Sequence, residues 1–179
     1  MEFLLGASRA VDWINRWVGR FAACCVLLAI LISAGNAVSR YSLGLSSNAW
    51  LEIQWYLFGA IFMLGAAYTL KMNEHVRVDL LYGGRPPRAR LWIDLAGHIL
   101  FLMPAVVILG WMCWPLFVES FAHNEISSNA GGLPRWPAKL LLPLGFALLA
   151  LQGLAEIVKR IAMLTGHLEP SVAYAKPLQ

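Results

Sequence analysis

Residues Asn73 to Leu95 read NEHVRVDLLYGGRPPRARLWIDL, the most charged stretch of an otherwise apolar chain. It holds four arginines, Arg77, Arg85, Arg88 and Arg90, three carboxylates, Glu74, Asp79 and Asp94, and one histidine, His75. Gly83-Gly84 and Pro86-Pro87 in its middle break any regular element and call for a solvated turn. Long apolar runs lie on both sides, and the alternation of apolar run and charged connection decides the fold.

Of 179 residues, 59% are hydrophobic and 13% charged, with a mean hydropathy of +0.63. A soluble domain carries about 25% charged residues, so the composition belongs to the membrane class. A bilayer core of roughly 30 Å takes about 20 helical residues to cross. The apolar runs make four blocks of that length. The expectation is an all-α integral membrane protein: one membrane domain over 1–179, with four transmembrane helices and an N-terminal amphipathic helical segment. The boundaries read from the sequence are about 1–17 for the amphipathic segment, about 18–39, 50–71, 91–118 and 137–163 for the spans, and 164–179 for a tail.

In the amphipathic segment Leu4, Ala7, Val11, Ile14 and Val18 recur at helical spacing, while Arg9, Asp12, Arg16 and Arg20 take other faces. This predicts either a helix lying in the membrane interface or an extension of span one. The apolar run starts about 20 residues in and is long enough to span, which favours a retained helix over a cleaved signal peptide. Ser46, Ser47 and Asn48 offer N-cap chemistry for span two, and Trp136-Pro137 puts proline at a favoured first position of span four. Pro104 and Pro115 are the expected kink points of span three.

Lys and Arg number eleven in the N-terminal segment, the 71–90 connection and the C-terminal part, against three, Arg40, Arg135 and Lys139, in the other two connections. The positive-inside bias then puts both termini in the cytoplasm. The same bias accounts for the net charge of +4, and no nucleic-acid partner is expected. Trp13, Trp17, Trp50, Trp55, Trp92 and Trp136 fall near expected interfaces, as an aromatic belt facing membrane lipid requires.

Several polar residues are candidate sites. Glu52, one turn into span two, fits a capping charge, which a helix N-terminus favours by roughly 0.3–1 kcal/mol, or an ion pair with a partner protein. Asp94 and His98 are four apart and share a face of span three, where a hydrogen-bonded structural pair is expected. His75 and Asp79 stand in the same relation if the chain stays helical there, with Glu74 and Arg77 beside them. Glu156, Lys159 and Arg160 make a local ion pair in one helical turn. Ala29, Ser33 and Ala37 form a small-residue row suited to close helix packing. Cys24, Cys25 and Cys113 have no metal-ligand spacing and read as packing residues. Haem held by His98 would need a second histidine at membrane depth, and His75, His123 and His167 all fall in connections.

Taken together, EIQWYLF from Glu52, FMLGAAYTL from Phe62, NEHVRVDLL from Asn73 and GGLPRWPAKLLLPLGFALLALQG from Gly131 resemble the small membrane subunit, the Q type, of tripartite ATP-independent periplasmic (TRAP) transporters. The resemblance covers about Arg16 to Met163. It implies a non-catalytic scaffold in the bacterial inner membrane that binds a large TRAP membrane subunit and works with a periplasmic substrate-binding protein. It further implies sodium-coupled uptake of an organic acid or related solute, with sodium held by the large subunit and no cofactor held by this chain. Interface or structural roles are then expected for Glu52, Glu74, His75, Arg77, Asp79, Asp94, His98 and Trp136. The rival readings are a four-helix membrane redox or haem protein and a stand-alone oligomeric exporter.

Overall fold

The computed structural model describes residues 1–45, 47–75 and 84–169. Four helices result: α1 (Glu2–Leu43), α2 (Asn48–Met72), α3 (Pro87–Ala122) and α4 (Trp136–Leu164), each long and apolar enough to cross a membrane. They run alternately up and down. Both ends of the described chain therefore lie at one end of the bundle, the terminal end, and the 44–47 and 123–135 connections lie at the other, the loop end.

The amphipathic segment and span one form a single unbroken helix of 42 residues, about 63 Å long at 1.5 Å per residue. That exceeds the 40–45 Å of a whole bilayer, so α1 projects beyond the membrane or lies inclined in it. The continuity has a local cause: no proline or positive φ interrupts residues 2–43, and the helix stops only where Gly44 turns left-handed at φ 64°. Asn73 ends α2 in the same way at φ 60°, its N–H donating back to carbonyls of the last turn. Ser47 is the N-cap of α2 without a side-chain cap bond, and the Asn48 amide reaches the Ala130 carbonyl instead. Ser46 lies outside the described residues.

Pro104 acts on α3 one turn ahead of itself. Proline has no N–H and its ring crowds the carbonyl four residues back, and the chain relieves this by widening His98–Leu102 into a π-turn in which the Met103 N–H donates to the His98 carbonyl. Pro115 sits inside a regular α-helical run.

Helix α4 is central: it packs on α1, α2 and α3, and α1 also packs on α2. Helix α3 contacts α4 and no other helix among the described residues. The core between α1, α2 and α4 is built on Cys25, Ala60 and Leu64. Two glycines permit its closest crossings. A Cβ on Gly19 would lie 2.5 Å from Tyr68, and one on Gly145 would lie 2.7 Å from the Met63 Cβ. The buried small residues of α1 are Ser8, Ala22, Cys25 and Ala29, whereas Ser33 and Ala37 are exposed. The small-residue seam thus extends from Ala29 toward the terminal end, where α1 meets α4, and not toward Ala37.

Candidate functional site: two buried polar braces

Four polar residues of α4, Gln152, Glu156, Lys159 and Arg160, recur at i, i+4, i+7 and i+8 and so share one face. On α1, Asp12 and Asn15 do the same at i, i+3. The antiparallel packing of the two helices presses these faces together, and most of the polar groups bond to one another. Asn15 and Gln152 are each 0% exposed. The Asn15 Nδ2 donates to Gln152 Oε1 at 2.7 Å. The Gln152 Nε2 donates to Asp12 Oδ1 and to Glu156 Oε1, both at 2.9 Å. Lys159 Nζ donates to the two Asp12 oxygens at 3.0 and 3.1 Å and also reaches Glu156. Arg160 completes the set with a close bond to the other Glu156 oxygen.

The brace reaches the remaining helices as well. Lys71, at the end of α2, donates from Nζ to the Asp12 carbonyl at 2.8 Å. On α3, the Asp94 carboxylate lies 3.7 Å from the Arg160 guanidinium. Three carboxylates thus face three cations, Lys71, Lys159 and Arg160. A buried charge with good geometry is tolerated when it is paired and bonded in this way, and becomes costly when one partner is taken away. Asn15 Oδ1, Arg160 Nε and His98 Nε2 remain buried without a hydrogen-bond partner.

At the loop end the anchor is Glu52, which is 3% exposed. Its Oε1 accepts from the Ser127 hydroxyl and from Asn129 Nδ2 at 2.8 Å, and its Oε2 accepts from the Leu133 N–H at 2.7 Å. The 123–135 connection is therefore tied down on α2 by one carboxylate. Tyr56 adds a bond from its hydroxyl to the Pro134 carbonyl at 2.8 Å. Within the connection Ile126 and Pro134 form a β-bridge, and Glu125 pairs with Lys139 and, at 3.5 Å, with Arg135. The Lys139 ammonium, as hydrogen-bond donor, holds the Glu125 carboxyl below the usual glutamate range.

The structure treats the residues singled out from the sequence unequally. Glu52 is not a solvated cap; it is buried and latched to the 123–135 connection. Asp94 and His98 are both buried, but the His98 ring meets the Asp94 backbone carbonyl at 2.6 Å while the Asp94 carboxylate turns to Arg160. A carbonyl only accepts, so His98 Nδ1 carries the proton of that bond. Trp136 stands edge-on to Phe121 with ring centroids 5.5 Å apart. Glu74 and His75 are exposed beyond the end of α2. Arg77 and Asp79 lie outside the described residues, as does the expected His75–Asp79 pairing.

Asp12, Asn15, Lys71 and Gln152 are the brace residues that sequence reasoning passed over. The available signal was the same-face spacing of Gln152, Glu156, Lys159 and Arg160 in an apolar helix. Their partners sit 137 or more residues away on α1, and no local pattern connects the two.

Comparison with known proteins follows the same lines. A family described as "Tripartite ATP-independent periplasmic transporters, DctQ component" matches residues 28–163. The chain is 26% identical over 163 residues to the C4-dicarboxylate TRAP transporter small permease protein DctQ of Vibrio cholerae, covering 80% of this chain and 69% of that one. It is 23% identical over 172 residues to the ectoine TRAP transporter small permease protein TeaB of Halomonas elongata, covering 93% of this chain and 88% of that one. No solved structure gives a significant match.

Proposed function

Because the chain belongs to the DctQ family of small membrane components of tripartite ATP-independent periplasmic transporters, we propose that it scaffolds the large membrane subunit of such a transporter and does not itself carry solute. The observation that supports this reading is the terminal-end brace. Asp12, Asn15, Gln152, Glu156 and Lys159 bond α1 to α4, and Lys71 of α2 joins them through the Asp12 carbonyl, which stiffens α1, α2 and α4 into one body. A carrier, by contrast, keeps discontinuous helices and polar groups at the midplane for its solute.

The proposal includes an orientation. With eleven of the Lys and Arg residues at the terminal end and in the 71–90 connection, both termini face the cytoplasm of a bacterial inner-membrane protein, and the 123–135 connection latched by Glu52 faces the periplasm. A reporter fused at Gln179 that is active only in the periplasm would overturn this.

We further propose that the transporter takes up an organic acid or related solute handed over by a periplasmic binding protein, with sodium bound in the large subunit. The names of the two relatives, one for C4-dicarboxylates and one for ectoine, support that solute class. The stretch containing Glu74, His75, Arg77 and Asp79 is the proposed contact with the large subunit at the cytoplasmic side. The test is uptake and co-purification with a co-expressed large TRAP membrane subunit. Uptake should need both chains, and Arg77→Ala and Asp79→Ala should lose co-purification while expression persists. Sodium-driven uptake by the large subunit alone would refute the scaffold role.

A further inference from the structure

We infer that Arg9, Trp13, Arg16, Trp17 and Arg20 form a binding site for the phosphate of an anionic phospholipid at the terminal end of the bundle. All five are exposed on α1, and their spacing of 4, 7, 8 and 11 residues from Arg9 places them on one helix face. At 100° per residue the three arginines fall in a wedge of roughly 40°, with the two indoles along its edge.

None of the three arginines makes a salt bridge with a described carboxylate. In the neighbouring brace the charges neutralise one another: Lys159 is bonded to Asp12 and Glu156, and Arg160 to Glu156. The positive charge of the α1 stripe is therefore not consumed by the brace beside it. Glu2 lies on the same face toward the helix start, and its single carboxylate does not balance three guanidiniums.

The stripe also sits at the depth where phosphates are found. Lys71 is at the end of the α2 span, and its bond to the Asp12 carbonyl puts residue 12 level with that end. Arg9 and Arg16 lie about one turn to either side, and Arg20 about two turns further into the bilayer, within reach of the surface for a long flexible side chain.

The aromatic residues fit the same purpose. Trp13 and Trp17 are 61% and 52% exposed, stacked edge-on with centroids 6.3 Å apart, the placement indoles take at the headgroup level. The Arg20 guanidinium stands 4.7 Å from the Trp17 ring centroid. A guanidinium held over a ring keeps its N–H edge free for two bonds to a phosphate. A zwitterionic lipid gains less, because its own ammonium opposes the excess positive charge. Which leaflet supplies the lipid rests on the orientation proposed above, whereas the headgroup chemistry does not.

The test uses the full chain in nanodiscs of equal parts phosphatidylglycerol and phosphatidylcholine, with retained lipids counted by native mass spectrometry. The expected result is a several-fold excess of phosphatidylglycerol adducts, reduced toward parity in the triple variant R9Q/R16Q/R20Q. R85Q/R88Q, which removes charge from the 71–90 connection, should keep the excess. Equal retention of both lipids by the unaltered chain would overturn the inference and point to an acidic protein segment as the partner of the stripe. So would equal loss in R85Q/R88Q. Independently of any variant, the preference should fall as salt is raised and the phosphate interaction is screened; a preference unchanged by salt would also sink it.

Discussion

Asn15 and Gln152 stand 137 positions apart in the chain, and a 2.7 Å hydrogen bond joins them in the interior of the bundle. Neither side chain is exposed, so each is the other's alternative to an unsatisfied amide. Asn15→Leu or Gln152→Leu should lower stability by about 1–2 kcal/mol, the range for a bond between membrane helices. The double variant Asn15→Leu/Gln152→Leu should cost less than the sum of the two, because no stranded partner is left from this bond. Thermal unfolding of the four proteins in one detergent gives the coupling; additive losses would show that the bond is not what the pair contributes.

Glu156 is the point where Gln152, Lys159 and Arg160 meet. Glu156→Gln keeps the shape and removes the charge, leaving the buried Arg160 facing the Asp94 carboxylate at 3.7 Å. The expected loss is about 3 kcal/mol, the scale for breaking a buried pair from one side. It should exceed the loss from Glu125→Gln at the more open loop end, where ion pairs contribute under about 1 kcal/mol. Denaturation of both variants by a graded harsh detergent checks the order.

Glu52 accepts three bonds from the 123–135 connection. Glu52→Ala should free that connection and leave the helices in place. Charge-assisted bonds of about 1.5–3 kcal/mol translate into roughly tenfold to hundredfold faster exchange at the Leu133 amide. Hydrogen exchange read by mass spectrometry reports it, and unchanged protection over 125–135 would show that the latch does not hold the loop.

The loop end should also be acid-sensitive. Glu125 has its carboxyl held below the usual glutamate range, chiefly by the Lys139 ammonium. A depressed folded value means that the charged form stabilises the native loop. That contribution is present above the unfolded glutamate value and is lost as pH falls from about 4.5 through the folded value. Loop exchange in wild type should accelerate over that interval, corrected for intrinsic rates, and Glu125→Gln should remove part of the acceleration. An identical acid profile in the variant would assign the effect to other groups.

Packing offers a contrast between two glycines. A Cβ on Gly145 would press on the Met63 side chain and carbonyl at 2.7 and 2.8 Å, whereas one on Gly65 meets nothing within 4 Å. Gly145→Ala should cost about 1–3 kcal/mol through overpacking. Gly65→Ala, in the interior of α2, should gain roughly 0.5–1 kcal/mol. Melting temperatures of the two variants moving in the same direction would contradict the packing described.

The sequence displays the spans because each is a local property: about 20 apolar residues announce a crossing wherever their neighbours are. A break in the α-helical ladder near Pro104 is legible for the same reason, although its form as a π-turn at His98–Leu102 depends on how the ladder is relieved. The brace is a different matter. Asp12 shares its stretch with Arg9, Arg16 and Arg20 and looks like one charge among several on a wet face, and only the packing of α4 against that side shows it to be bonded inward. Glu52 looked like a cap because its local setting is a helix start, while its partners Ser127, Asn129 and Leu133 are more than 70 positions away.

Helix α4 touches every other helix, and among the described residues α3 touches α4 alone. Translation delivers these elements in chain order, so α1 and α2 can associate as soon as both are inserted, while α3 enters the bilayer with no companion. At roughly 5–20 residues per second, Gln152 leaves the ribosome about 7–27 s after Asn15. Until then the Asn15 amide and the Asp12 carboxylate depend on water at the membrane surface. A message cut short before Trp136 would leave a helical pair and an unattached third helix, not a smaller bundle.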